Sequence, residues 1–322
     1  MPKQLLHSLL AFKTDDDIVL LGGKRKRFDC GVEMERVVAK VLKSRPTLEG
    51  AGVRLKRVFN GGEVQLFDPF LLLDHFGSDD PKDYIKGFPW HPHRGIETVT
   101  YMLTGEVEHG DSMDNRGTIS SGDVQWMTAG SGIIHQEMPK KHDGLMQGFQ
   151  LWVNLPAKKK MMAPRYRGIT RKYIPSWEKE GVKLKIIAGK IDGTEGPVQD
   201  LVVDVEYFDV HLEAGSKFER PTDADLTVFA YVINGSAYCG DTLIEPENCA
   251  LFGKGDHVTV TTREGAHFLF AIGRSLNEPV AWGGPIVMNT EAELAKAFEE
   301  LEQGTFVKNG KAVKPSKNFY KG

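Results

Sequence analysis

From Val37 onward the chain is a succession of short β-type runs cut by glycine, and no other feature limits its fold as much. Val37–Leu42, Val53–Phe59, Val64–Phe67, Thr98–Leu103, Val124–Thr128 and Gly148–Val153 form one series. Lys183–Ile187, Val202–Leu212, Thr227–Ile233, Ala250–Phe252, His257–Thr262 and Ala266–Ile272 form a second. Val, Ile, Thr and aromatic residues fill these runs, and Gly, Asn, Asp or Pro bounds most of them, as strands require. Asn60-Gly61-Gly62, Thr104-Gly105, Asn234-Gly235 and Gly255-Asp256 are tight-turn chemistry, because glycine accepts positive φ at little cost. So many strands at short spacing predict an all-β chain of sandwiches or barrels. A length of 322 residues suffices for two such units.

One pattern occurs twice. Leu103–Gly130 and Ile233–Thr262 each run strand, turn glycine (Gly105, Gly235), strand, polar stretch, then Gly-Asp opening a further strand (Gly122-Asp123, Gly255-Asp256). This weak internal repeat predicts two copies of one β-barrel, joined within residues 154–182, where Pro156, Pro164 and Pro175 interrupt regular structure. The expected organisation is an N-terminal extension over residues 1–35, a first barrel over 36–156, a linker over 157–182 and a second barrel over 183–322. Seven basic residues and no acids lie between Lys158 and Lys172, which reads as a solvated linker, with an anion or partner surface as the alternative. Thr290–Gly304 predicts a helix: Thr290 caps it, Glu293 completes a capping box and Gly304 stops it. Leu294, Ala297, Phe298 and Leu301 then share a face, expected to pack on the second barrel.

Composition excludes several classes. The net charge is -3, with 41 basic against 44 acidic residues, so overall charge does not draw the chain to nucleic acid or anionic membrane. No uninterrupted apolar run nears the ~18 residues of a spanning helix. Cys30, Cys239 and Cys249 are too scattered for a disulfide framework, which implies a reducing, cytoplasmic setting. The short apolar patch Leu5–Phe12 is closed by Asp15-Asp16-Asp17, unlike a secretory or transit peptide. Lys24-Arg25-Lys26-Arg27 reads as a solvated charge run, with nuclear localisation as the alternative.

The chemistry sits in two segments. His91 and His93 of Phe88–Glu97 are two apart, so on an extended strand both imidazoles share a face, and Pro92 suits a strand start or edge. His135 and Glu137, after Gly130-Ser131-Gly132, repeat that geometry. Two antiparallel strands offering such pairs into one barrel would gather three imidazoles and a carboxylate, a donor set for Fe, Ni, Cu or Zn. Unrelated core or surface histidines are the competing reading. Trp90 and Trp126 read either as walls of a pocket or as core aromatics, and Gln125 and Met127 share a face opposite Trp126. His109 and Asp111 lie between the two pairs, whereas His75 and His142 read as structural or surface residues. In the second half His211, His257 and His267, with Cys239 and Cys249, form no HxH and read as satisfied residues rather than a second metal site.

The segments HPHRGIETVTYMLTGEVEH, GDVQWMTAGSGIIHQEMP and EPVAWGGPIVMNTEAEL closely resemble the pirin family of the cupin superfamily, from about Glu35 to the end. The resemblance implies a bicupin: two jelly-roll barrels packed together with a C-terminal helix, the first barrel holding a metal and the second lacking the ligands. It implies iron, Fe2+ before nickel, copper, manganese, cobalt or zinc, on His91, His93, His135 and Glu137. Cupins often use a glutamate shortly after HxH, which makes Glu97 the rival ligand. The resemblance implies two activities. One is dioxygenation of flavonols such as quercetin, for which Glu137 (or Glu97) is the expected catalytic proton acceptor. The other is a redox-sensitive regulator that binds transcription factors or other proteins. A monomer with no direct nucleic-acid or membrane contact is the expected state.

Overall fold

In the computed structural model, which describes residues 34–311 and 313–315, each barrel pairs a seven-stranded antiparallel sheet with a four-stranded one. The first barrel's large sheet runs, in hydrogen-bonded order, Arg165–Ile169, Val124–Thr128, Ile96–Thr104, Met146–Asn154, Phe70–Ser78, Val53–Phe59 and Arg45–Glu49. Its small sheet runs Phe88–His93, Ile133–Pro139, Glu106–Asp111 and Arg116–Ser120. The second barrel repeats this plan, with Leu226–Gly235, Ala266–Arg274 and Val205–Leu212 central in its large sheet. The all-β expectation of two jelly-roll barrels and a C-terminal helix therefore holds. Among the described residues no helix is long and apolar enough to cross a membrane. The tetrad Lys24–Arg27 and Cys30 lie outside the described residues.

The large sheets meet face to face. Val99, Tyr101, Trp126, Phe149 and Leu151 of the first pack against Phe229, Tyr231, Leu269 and Ala271 of the second in one buried core. Alternate side chains turn into each barrel. In the second barrel that inner face is Phe208, Val210, Phe268, Phe270, Val258 and Val260, which seal the interior with hydrocarbon. In the first barrel Thr100, Gln150 and Trp152 take inward places and border a cavity instead. This difference in filling decides which barrel can house chemistry.

Five expectations are corrected. Val38–Lys43, expected in the first barrel, pairs with Asn248–Phe252 and covers an edge of the second barrel's large sheet. Residues 157–182 are not a plain linker, since Arg165–Ile169 joins the first barrel's sheet and Ser176–Lys179 the second's. Nor is the basic stretch solvated throughout: Lys160 is buried, and Arg165 and Arg167 pair with Asp200. Val64–Phe67 is a short helix whose Phe67 ring stacks on Phe59 at 4.0 Å, and four apolar-rich residues are too few for periodicity to separate helix from strand. The helix Glu291–Glu302 has its capping box, but it packs on the first barrel, where Leu294, Ala297 and Leu301 bury with Ile134, Ile286 and Phe306. Ile286 bridges to Arg94 and carries the chain back across the first barrel, which helical spacing alone does not reveal.

Candidate metal centre

Phe88–His93 carries two prolines and is an edge strand, where a missing backbone N–H costs no ladder hydrogen bond. His91 and His93 alternate onto one face of it, and His135 pairs directly opposite His91 on the neighbouring strand. Cross-strand partners project to the same side, so the three rings converge. Their centroids lie 4.3–4.9 Å apart, and their ligand nitrogens lie within 4.8 Å of one another. Between His135 and Glu137 the pairing slips, and Glu137 faces Phe88. Such a bulge re-aims a side chain.

Hydrogen bonds fix which nitrogens face inward. His91 Nδ1 lies 3.0 Å from the Pro89 carbonyl and His93 Nδ1 lies 3.1 Å from the Pro285 carbonyl. A carbonyl only accepts, so each Nδ1 carries the proton and each Nε2 of the neutral ring is a bare lone pair. Those two Nε2 atoms face each other at 3.1 Å, and His135 Nε2 is buried with no partner. Two lone pairs in contact and an orphaned third are unfavourable by themselves, and one shared cation satisfies all three. The 3.1 Å spacing suits adjacent ligands of one ion bonded at about 2.1 Å. Burial holds the His91 imidazole down to about 4 and keeps His93 and His135 well below the ordinary histidine range, so all three stay neutral, the form that binds metal.

Glu137 shares the cavity but is not among the side chains that cluster within 4.8 Å. Its Oε1 lies 2.8 Å from Thr100 Oγ1 and its Oε2 3.4 Å from Gln150 Nε2. Burial pushes its carboxyl up to about 7, with the Thr100 hydroxyl pulling the other way. The cavity measures about 1020 Å³, enough for a drug-sized planar ligand, and its wall includes His91, His93, Glu137, Trp152 and Trp282.

Tight backbone supports the site. Gly95, after the motif, has φ +78°, and a Cβ there would lie 1.9 Å from the Val287 carbonyl oxygen, so only glycine fits. The buried Lys160 ammonium donates to Gly95 O, Asn154 Oδ1 and Val287 O at 2.7–3.0 Å, using all three of its protons.

Two family models account for most of the described residues. The description "Pirin" matches residues 52–153, and "Pirin C-terminal cupin domain" matches residues 207–307. The chain belongs to the pirin family. A pirin-like protein of Caulobacter vibrioides is 45% identical over 273 residues, covering 84% of this chain and 99% of that one. Human pirin is 39% identical, covering 86% and 94% respectively. The crystal structure of a quercetin 2,3-dioxygenase from Acinetobacter baumannii superposes with a TM-score of 0.79 at 34% identity, covering 84% of this chain and 98% of that one.

Within this pirin fold the remaining sequence candidates separate. Glu97 faces away from the cavity: its Oε1 accepts from Thr128 Oγ1 at 2.5 Å and lies 3.6 Å from Arg167. It is thus removed from the three imidazoles, on the same side of its strand as Val99 and Tyr101. Trp126 is in the core between the barrels, and Trp90 packs against Ile134 and the C-terminal helix segment, so neither borders the cavity. The cavity tryptophans are Trp152 and Trp282, stacked at 5.8 Å, with Trp152 edge-on to His93 at 5.1 Å. Sequence reasoning missed both, along with Thr100 and Gln150. Trp282 and Pro285 belong to the family segment EPVAWGGPIVMNTEAEL, the one signal that could have found them. His109 stacks on Tyr166, whose hydroxyl lies 2.6 Å from its Nε2, while Asp111 binds its own turn through Met113 N and Asn115. His75 is structural, held by Tyr231 and Gln147.

Proposed function

We propose that this pirin is an iron-dependent dioxygenase that opens the ring of flavonols of the quercetin type, with His91, His93, His135 and Glu137 as the iron ligands. The supporting observation is the inward set of three neutral imidazole lone pairs, one of them orphaned, beside a buried acid in a cavity of flavonol size. Likeness to the Acinetobacter baumannii quercetin 2,3-dioxygenase supports the substrate class. Three imidazoles and a carboxylate around a divalent ion leave a net charge of about +1. Bound there, Fe2+ supplies Lewis acidity toward a substrate hydroxyl and the redox capacity that chemistry with O2 needs.

The chain's own groups bind the substrate and move its proton. Trp152 and Trp282 offer faces for a planar ring system. Glu137, once released from its ligating role, takes the proton of the flavonol 3-hydroxyl. Thr100 Oγ1 lies 2.8 Å from Glu137 Oε1 and 2.6 Å from Gln150 Oε1, and its single proton serves one of them at a time. Beside a carboxylate, Thr100 donates to Glu137. Once Glu137 is protonated it donates to Thr100, which turns its own proton to Gln150. Burial, which favours the neutral acid, and a bound cation, which favours the carboxylate, pull in opposite directions and poise the group for transfer.

Aerobic incubation of iron-loaded protein with quercetin, followed by flavonol absorbance and O2 uptake, tests the proposal. Wild type should turn over, and His93→Ala and Glu137→Gln should both be slower. Loaded wild type no faster than His93→Ala would end it.

A further inference from the structure

We propose a second divalent-cation site at the seam between the barrels, formed by Asp209, His211 and His267 and braced by Tyr101. Val205–Leu212 and Ala266–Arg274 are antiparallel neighbours in which His211 lies opposite His267. Asp209 and His211 alternate onto one face, and His267, as the partner of His211, rises on that same face. The opposite face carries Phe208, Val210, Leu212 and Phe268, which fill the second barrel. The three ligating residues therefore sit outside that barrel, toward the first one, in a position unrelated to the cavity described above.

The donor atoms already converge. Asp209 Oδ1 lies 2.6 Å from His267 Nε2 and 3.4 Å from His211 Nε2, and all three ligand atoms fall within 4.8 Å of one another. The two imidazoles stack at 3.7 Å, inclined by 18°, so their Nε2 edges are presented side by side. Tyr101, from the first barrel, donates its hydroxyl to Asp209 Oδ2 at 2.5 Å, which fixes the carboxylate and leaves Oδ1 toward the imidazoles. Asp209 is 1% exposed, whereas the His211 side chain is 49% exposed, so the site opens to solvent on one side for an ion and its remaining waters. A carboxylate buried this deeply requires a positive partner. Neutral imidazoles donate hydrogen bonds but bring no charge, and a divalent ion brings both charge and coordination. Two imidazoles and one carboxylate favour zinc, copper, nickel or cobalt over calcium or magnesium. The competing arrangement is an ion pair between Asp209 and a protonated His267.

Equilibrium dialysis of the full chain against Zn2+ separates the two. In a His91→Ala/His93→Ala variant, which disables the first-barrel ligands, one zinc per chain should remain. Adding His211→Gln, a substitution at a half-exposed position, should abolish that binding, and Tyr101→Phe, which frees the second carboxylate oxygen, should weaken it roughly tenfold. Should the double variant fold poorly, wild type is the readout: its zinc content should drop by one ion on His211→Gln alone. No zinc bound by the double variant, or zinc content indifferent to His211→Gln, overturns the site in favour of the ion pair. Failure of the first-barrel reading looks different: wild type and the His91→Ala/His93→Ala variant would then bind equal amounts.

Discussion

Arg94 Nη2 lies 2.8 Å from Glu300 Oε2, so the residue that follows the His91–Pro92–His93 motif is gripped by the C-terminal helix. The same guanidinium donates to Ser131 O and Phe306 O and sits 4.2 Å above the Phe306 ring. Ser131 precedes the strand that carries His135, and one buried cation thereby fastens both histidine-bearing strands to the tail. Glu300→Ala leaves that cation, 2% exposed, without its counter-charge, and should cost about 3 kcal/mol. Urea unfolding checks this; a midpoint unchanged from wild type would mean that the helix does not secure Arg94.

Metal removal should be visible as lost thermal stability. An ion that satisfies His135 Nε2 and the facing pair of His91 and His93 binds only the folded chain. At a free concentration 100 times Kd it contributes about 2.7 kcal/mol, or roughly 5–10 °C in Tm for a domain of this size class. Calorimetry with and without chelator should show the shift, and His93→Ala should lose most of it. A variant that keeps the full shift would place the ion elsewhere.

The histidine triad was legible because its geometry is local. A two-residue spacing on a strand puts His91 and His93 on one face whatever the rest of the chain does, and the neighbouring prolines mark an edge. Barrel number was legible from the repeated Gly-Asp turns. Partners across the fold were not. The helical face of Leu294, Ala297 and Leu301 was readable, but its seat on Ile134 and Ile286 depends on a return crossing that periodicity does not encode. Asp209 went unnoticed beside His211 because its neighbour in space, His267, is 58 residues away. Trp152 and Trp282 come together from different parts of the chain for the same reason.

His75 makes the seam between the barrels sensitive to acid. Gln147 Nε2 donates to its Nε2 at 2.8 Å, so its Nδ1–H faces the Tyr231 hydroxyl at 2.9 Å, and Phe149 stacks on the ring. Burial, reinforced by Lys56, holds this imidazole down to about 4, against an ordinary value of 6.5. Between those values the unfolded chain binds the extra proton, so the neutral ring's contribution is complete above pH 6.5 and is lost as pH falls through 4. The slope is about 1.4 kcal/mol per pH unit, with a ceiling of roughly 3 kcal/mol. Carboxylates elsewhere affect wild type and variant alike, so the comparison isolates this residue. The stability of His75→Gln should fall less steeply than that of wild type from pH 6.5 to 4.5, measured by urea midpoints. Parallel curves would show that the ring already accepts its proton in the folded state.

Trp282 gives a way to separate substrate binding from proton transfer. It lines the same cavity as the acid, stacked on Trp152, with its indole N–H donated to Gly284 O at 2.7 Å. Nothing places it against Glu137, so its contribution is the aromatic surface that it offers a planar ligand. One such contact amounts to about 0.5–1.5 kcal/mol, or roughly 2–12-fold. Trp282→Ala should therefore raise KM for quercetin by that factor with little change in kcat, because an interaction made equally with substrate and transition state moves KM alone. Glu137→Gln should do the reverse, lowering kcat while KM stays near its wild-type value, since the amide keeps the shape of the cavity but accepts no proton. Steady-state kinetics on both iron-loaded variants decides it. If Trp282→Ala lowers kcat as Glu137→Gln does, the tryptophan is holding the reacting groups in place rather than the ligand.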